Sequence, residues 1–349
     1  MEKKNIAVLA YFEKNLGDDL FIKMLLERYP NVNWYLIGAH ESYKGMFPNM
    51  NIQTISKRYF LLNFYKFDAL INIGGSIFIQ TPRWYGYFIK RLALTLPLKV
   101  LKRKVFVLGA NFGPYNSNLF EKSYNYYFKI LDDVCFRDSK SYNLYRNINR
   151  VRVAPDIIYG LNTDKYNVPT EPNSMGVSVM SLINRQNLRK YNKDYLNNLS
   201  ESISDLIKRG FNIKLFSFCK EEGDERAIKD ILTLISPSER EYIEVINYNG
   251  NIDEFLYQYS KVESFITLRF HSLILSQLFN QNIYPITYSD KTINVLEDCS
   301  IQDYLHIKNI TKINSERILN YSNKHNLNIK YKSKSSNQHF SLVDNFLPR

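Results

Sequence analysis

The chain has 349 residues, 46 Lys and Arg against 34 Asp and Glu, a formal charge of +12 and 45% apolar residues. That length suits two domains with separate cores, and these fractions exclude a disordered chain. No apolar run approaches the roughly 20 residues that span a bilayer, and Ile6–Ala10 is too short for a secretory leader, so a cytoplasmic protein is expected.

Apolar strands and helical stretches alternate along the chain. The first series reads strand Asn5–Ala10, helix Asp18–Arg28, strand Asn33–Gly38, strand Ala69–Ile73, helix Arg83–Leu101 and strand Val105–Gly109. A helix over Leu119–Leu131 and strands Asp133–Phe136 and Val151–Ala154 complete it. Strands of continuous Val, Ile and Leu character between helices predict parallel sheets covered on both faces. Residues 155–173 break the pattern with Pro155, Asn162, Pro169 and Pro172, marking a domain boundary.

The alternation resumes with strand Met175–Met180. A helix over Lys193–Arg209 follows, its Tyr195, Leu199, Ile203 and Leu206 on one face and Gly210 in C-cap position. Strands Ile213–Phe218, Tyr242–Ile246, Ser264–Leu268 and Asn282–Ile286 come next. The expected organisation is an N-terminal α/β domain over residues 1–160, a C-terminal α/β domain over 174–310, and a helix and tail over 311–349 that pack back on the first domain. Two doubly wound, Rossmann-like domains in tandem leave a cleft at the C-terminal edges of their sheets, where ligands of such folds bind.

Cys135, Cys219 and Cys299 lie far apart, as do His40, His271, His306, His325 and His339. This spacing argues against disulfides and against a metal site of His and Cys. No cofactor motif is complete: Gly74-Gly75-Ser76 after a strand lacks the third glycine of a dinucleotide fingerprint. No stretch forms a nucleic-acid reading motif.

The chemistry-bearing residues follow strands. Asn15-Leu16-Gly17-Asp18 opens a helix, with Asp18 expected as N-cap and capping alone as the plain alternative. Gly74 and Gly75, then Asn111-Phe112-Gly113-Pro114, let a ligand approach backbone N–H groups. Arg137-Asp138 and Pro155-Asp156 follow two further strands. The sharpest pattern is Arg269-Phe270-His271 between a strand and a helix. Alternation lets Arg269 and His271 converge while Phe270 enters the core. Guanidinium and helix N-terminus suit an anion, and the imidazole adds a proton donor. The competing reading is a buried Arg paired to a carboxylate. Lys291, after the next strand, is placed to reach the same anion.

In their order, Asn15…Gly17-Asp18, Asp68…Gly74-Gly75, Gly109…Gly113-Pro114, Arg137-Asp138-Ser139…Ser141, Pro155-Asp156, Arg269-Phe270-His271 and Lys291 resemble the polysaccharide pyruvyl transferases. The resemblance implies a glycosyltransferase-B-like enzyme moving pyruvate from phosphoenolpyruvate to a sugar of a cell-surface polysaccharide precursor, lipid-linked or nucleotide-linked. It places the donor in the C-terminal domain and the acceptor mostly on the N-terminal side. His271 is then the general acid, Arg269 and Lys291 the anion holders, and Asp18 the residue that orients or deprotonates an acceptor hydroxyl. Asn15, Gly17, Gly74, Gly75, Asn111 and Gly113 contribute to substrate binding, and no metal or cofactor is needed.

One departure stands out. Where the family often carries an Arg after the first strand of the second domain, this chain has Met180-Ser181, with Arg185 further on. Either Arg185 substitutes or the pocket has changed. Glu221, Glu222 and Asp224 lie near a position that is often acidic in the family, or form a solvated loop. A nucleotide-sugar glycosyltransferase and an inactive glycan-binding relative are the alternatives. Finally, aromatic and basic residues alternate from Arg83 to Lys104, suiting either a peripheral membrane contact or a crossover helix with basic ends. The Lys-rich tail (Lys324, Lys330, Lys332, Lys334) reads as compositional background.

Overall fold

Buried Val, Ile and Leu backbones pair in parallel wherever the alternation places a strand, and two sheets result. The computed structural model describes residues 3–299, 301–320 and 329–348, except the side chain of Asp290; Lys324 and His325 lie outside the described residues. Two compact units form. Unit 1 holds Asp18–Leu161, the residues before Glu13 and those from Lys330 onward; unit 2 holds Glu13–Gly17 and Asn162–Ile329.

The first series contains β1 (Asn5–Leu9), α1 (Leu16–Arg28), β2 (Asn33–Ile37), α2 (Ser42–Met46), β3 (Ile52–Ile55), α3 (Lys57–Leu62) and β4 (Ala69–Ile73). It continues with α4 (Trp84–Val100), β5 (Lys104–Ala110), α5 (Asn118–Ile130), β6 (Asp133–Phe136), α6 (Ser139–Tyr145) and β7 (Val151–Val153). The sheet of unit 1 is wholly parallel, in the order β3-β2-β1-β4-β5-β6-β7. Its order reverses between β1 and β4, which makes that edge the expected ligand-binding point. The aromatic richness of the sequence is concentrated here: Phe78, Phe112 and Tyr145 pack on Phe120, Tyr124 and Phe128 of α5 in one cluster of tilted and edge-to-face rings.

The second series contains β8 (Glu171–Val179), α7 (Asn192–Lys208), β9 (Asn212–Ser217), α8 (Asp224–Leu234), β10 (Ile243–Asn247), α9 (Ile252–Ser260), β11 (Val262–Thr267), α10 (Phe270–Leu278), β12 (Asn282–Thr287), α11 (Asp290–Asp298) and β13 (Leu305–His306). Its order is β10-β9-β8-β11-β12-β13, again parallel, with the reversal between β8 and β11. Helix α7 buries Tyr195, Leu199, Ile203 and Leu206 against the sheet. It stops at Gly210, whose φ of +88° allows Gly210 N–H to reach Ile207 O and Phe211 N–H to reach Leu206 O.

Strand β8 starts four residues before the expected Met175. Its polar N-terminal half pairs through backbone groups with β9 and β11, and such pairing does not require apolar side chains. Short α2, β3 and α3 lie below the length at which sequence periodicity shows. In the tail, α12 (Ser315–Asn320) belongs to unit 2, and α13 (Ile329–Ser336) runs into α14 (Ser341–Asp344) in unit 1. There Arg28 donates twice to Asp344, at 2.8 and 2.7 Å, and Tyr29 donates once at 2.8 Å. His339 is buried with Nε2 2.9 Å from Pro155 O, and burial pushes its pKa down to about 3, so the ring is neutral.

Candidate active site

Parallel strands β9, β8, β11 and β12 are neighbours, so their C-terminal ends line one edge of unit 2. The segments leaving them carry Glu222 and Asp224, Arg185, Arg269 and His271, and Tyr288 and Lys291 respectively. Arg269 stands at the reversal point. Ser178 Oγ, on β8, accepts from the N–H groups of Leu268 (2.8 Å) and Arg269 (3.2 Å), fixing the turn from β11 into α10.

The guanidinium of Arg269 turns inward. Nη1 donates to Glu222 Oε2, Nη2 donates to Asp224 Oδ1, and Nε is buried with no hydrogen-bond partner among the described residues. The resemblance implies that this guanidinium holds a substrate anion; instead two carboxylates occupy both its outer nitrogens. Nor are Glu222 and Asp224 a solvated loop, because each has a buried cation to neutralise. A buried guanidinium requires such partners. Arg269 therefore positions Glu222.

Arg185 reaches the same carboxylate: Nη2 donates to Glu222 Oε2 at 2.8 Å, and its guanidinium lies 5.5 Å from the Tyr288 ring centre. A cation thus stands near the exit of β8 although Met180 is buried in the core. Burial raises the Glu222 carboxyl, but Arg269 and Arg185 outweigh it and hold the carboxyl at about 2. Burial also raises the Tyr288 phenol, yet Lys291, Arg185 and Arg269 together hold it below its ordinary value. Lys291 Nζ sits 5.4 Å from the ring centre of Phe270, which is itself buried as expected. Three cations, Arg185, Arg269 and Lys291, stand with the carboxylates of Glu222 and Asp224, and the N-terminus of α10 adds positive potential.

The imidazole of His271 lies against the backbone of Gly17. A Cβ on Gly17 would overlap ring atoms of His271. Segment Glu13–Gly17 is tied down by Leu16 N–H to Phe218 O at 3.1 Å. Asn15 Oδ1 accepts from Gly17 N–H at 3.1 Å, and Asn15 Nδ2 donates to Glu222 Oε1 at 3.0 Å. A continuous path results: His271 on Gly17, Gly17 on Asn15, Asn15 on Glu222, and Glu222 between Arg185 and Arg269. Asn15 also takes the capping role expected of Asp18, because α1 begins at Leu16 and Asp18 stands inside its first turn.

In unit 1 the strand ends form a second polar cluster. Arg137, after β6, donates to Asp156 Oδ2 (2.9 Å) and Asn111 Oδ1 (2.7 Å), and Ser76 Oγ donates to Asn111 Oδ1 (3.2 Å). A Cβ on Gly75 would stand 2.5 Å from Arg137 Nη1, so the guanidinium packs directly beneath that turn. Gly74, at φ +148°, brings its backbone close to Asp18 Oδ1. Asn111 Nδ2 donates to Gly113 O at 3.4 Å, and Gly113 N–H donates to Phe78 O at 2.8 Å. Asp138 caps α6, accepting from Ser141 N–H and Ser141 Oγ, both at 2.8 Å. Gly74, Gly75, Asn111 and Asp18 thus gather at the β1/β4/β5 edge, whereas Gly113 shapes the loop beyond. Among the described residues no group of three or more His, Cys, Asp and Glu could hold a metal ion.

Comparison with known proteins agrees with this architecture. The sequence model of the family described as polysaccharide pyruvyl transferase matches residues 15–290. The amylovoran biosynthesis protein AmsJ of Erwinia amylovora is 22% identical over 285 residues, 76% of this chain and 67% of that protein. Among solved structures, MnaA of S. aureus with UDP has a TM-score of 0.62 at 11% identity, covering 99% of this chain and 97% of that one. The UDP-GlcNAc 2-epimerase of Methanocaldococcus jannaschii gives 0.62 at 16% (99% and 100% covered), and Anabaena HepE with UDP and glucose gives 0.61 at 9% (98% and 96%). These structures are similar in fold, two parallel-sheet α/β domains of the glycosyltransferase-B-like kind.

Proposed function

Since this chain belongs to the polysaccharide pyruvyl transferase family, we propose that it transfers the pyruvyl group of phosphoenolpyruvate to two hydroxyls of one sugar in a polysaccharide precursor, in the cytoplasm. The observation that carries this reading is the edge of unit 2 where Arg185 follows β8, Lys291 follows β12 and lies beside Phe270, and half-buried His271 stands in the first turn of α10. A small trianion needs several fixed donors, and a general acid must stand beside them.

His271 protonates the methylene carbon of phosphoenolpyruvate, leaving C2 electron-poor. The first sugar hydroxyl adds to C2 and gives up its proton. The C2–O bond to phosphate then breaks with its electron pair, and the leaving phosphate takes up a proton. A second hydroxyl of the same sugar closes the ketal and loses its proton, so one carboxylate ketal and one hydrogen phosphate are formed. Arg185 and Lys291 hold the carboxylate and stabilise the departing phosphate. Arg269 acts through Glu222 rather than on the donor. In unit 1 the acceptor is assigned to Gly74, Gly75, Asn111 and Gly113. Asp18, the residue after Gly17 in the chain, orients or accepts the proton of a hydroxyl.

The test is phosphate release from phosphoenolpyruvate across UDP-sugars and lipid-linked oligosaccharides, with the ketal read by mass. His271→Asn should lower turnover by about 10²–10⁴-fold while phosphoenolpyruvate still raises the melting temperature. A melting shift with nucleotide sugars and none with phosphoenolpyruvate would replace this donor with a nucleotide sugar. Sugar binding without turnover on any acceptor would make the chain a glycan binder.

A further inference from the structure

The positive charge is not spread evenly. Between residues 42 and 120 the chain has eleven Lys and Arg and a single acidic residue, Asp68, an excess of ten out of the total +12. Asp68 is paired with Arg103, and Asp132 answers Lys99 and Lys104, which secures the basic C-terminal end of α4. Lys57, Arg58, Lys66, Arg83 and Lys90 belong to the same acid-poor stretch.

Helix α4 is apolar on two opposite faces. Trp84, Leu94, Thr95 and Leu98 are buried against unit 1. At 100° per residue Tyr85, Ile89, Ala93, Leu96 and Val100 fall within an arc of about 80° on the other side, and all five are exposed. Ile89 is 60% exposed and Val100 80%. The stripe runs about 22 Å along the helix. Beside it packs α3 with the turn after it, where Leu62 is 67% and Tyr65 56% exposed. Single exposed apolar residues are ordinary, whereas a periodic stripe bordered by cations and almost without carboxylates is a surface with a partner.

We infer that the α3–α4 face of unit 1 docks on an anionic lipid surface, with Tyr85, Ile89, Leu96 and Val100 entering the headgroup boundary and the surrounding Lys and Arg meeting lipid phosphates. Charge complementarity selects this occupant: a protein partner or a second copy of a +12 chain would have to bring its own dense carboxylates. Tyrosines at the rim suit the interface between headgroup and chain. Among the described residues no helix is long and apolar enough to cross a membrane, so the contact is peripheral. The inference stands apart from the pyruvyl donor, since lipid binding requires no turnover.

Flotation of the full chain with vesicles of equal parts phosphatidylcholine and phosphatidylglycerol tests it, against phosphatidylcholine alone. Binding should be at least about tenfold tighter to the anionic vesicles at low salt and weaken as salt screens the charges. The double variant Ile89→Ser/Leu96→Ser, and independently Val100→Ser with Leu62→Ser, should each weaken binding by about tenfold or more. Melting temperature and phosphate release on a water-soluble acceptor should be unchanged in both. No binding to anionic vesicles at low salt, or binding that neither variant weakens, overturns the inference. So does a chain that ignores vesicles yet sediments as a dimer which the variants dissociate, because the face would then join two copies.

Discussion

The imidazole of His271 occupies the space in which any side chain of residue 17 would stand. Gly17 is held by Asn15 and Leu16, and Asn15 is held by Glu222. The proposed general acid is therefore packed against a stretch of backbone that lies far from it in sequence. Gly17→Ala should displace the ring and lower phosphate release by about 10²-fold, the cost of roughly 1 Å of misplacement. Circular dichroism and melting temperature should remain close to wild type, while His271→Asn combined with Gly17→Ala should lose little more than His271→Asn alone.

Glu222 makes stability depend on acid. Its carboxyl is held at about 2 against an ordinary 4.5, so the folded state binds that proton less readily than the unfolded chain. The stabilisation is complete above pH 4.5 and is lost as pH falls towards 2; its full size is about 3 kcal/mol. Denaturant unfolding between pH 6 and pH 3 should show this loss in the wild type and a flatter profile in Glu222→Gln. The same variant should be destabilised at neutral pH, because Arg269 then keeps only one carboxylate.

Tyr288 should limit the alkaline side. Its phenol is surrounded by Lys291, Arg185 and Arg269 and is held below its ordinary value of 10. On ionising, the phenolate cancels a positive charge at the edge where an anion is to bind. Affinity for phosphoenolpyruvate should fall as pH rises towards 10. Tyr288→Phe should keep its affinity further into the alkaline range, as measured by melting shifts or calorimetry across pH.

The Arg137–Asp156 pair in unit 1 is almost fully enclosed, with side chains 2% and 1% exposed. Asp156→Ala leaves a buried guanidinium without the carboxylate that neutralises it, and should cost about 3–5 kcal/mol in chemical denaturation. Gly75→Ala should destabilise by pushing the same guanidinium aside.

The sequence was readable where its signals are local. Apolar runs, helix periodicity and glycine turns depend on neighbours within a few residues, and they located the long strands, α1, α4, α5 and α7, and the loops that carry the site. Short elements such as α3 and β3 carry too few residues for a period to show. Sequence does not separate Asp18 from Asn15 as the N-cap of α1, because the two are equally good caps and only the backbone path, which starts the helix at Leu16, decides between them.

Pairing of charges follows another rule. Arg269 and Glu222 are 47 residues apart, and Gly17 and His271 come from opposite ends of the family match. Alternation in Arg269-Phe270-His271 correctly turns Phe270 into the core, but it says nothing about which carboxylates await the guanidinium. Residue types and strand ends thus mark out the chemistry available to this protein: cations and an imidazole at the edge of one parallel sheet, and glycine turns at the edge of the other. Folding assigns the roles, because desolvation forces a buried charge to find its partner wherever in the chain that partner lies. In that assignment Arg269 becomes a support, Arg185 shares the carboxylate of Glu222 with it, and His271 packs on a glycine more than 250 residues away.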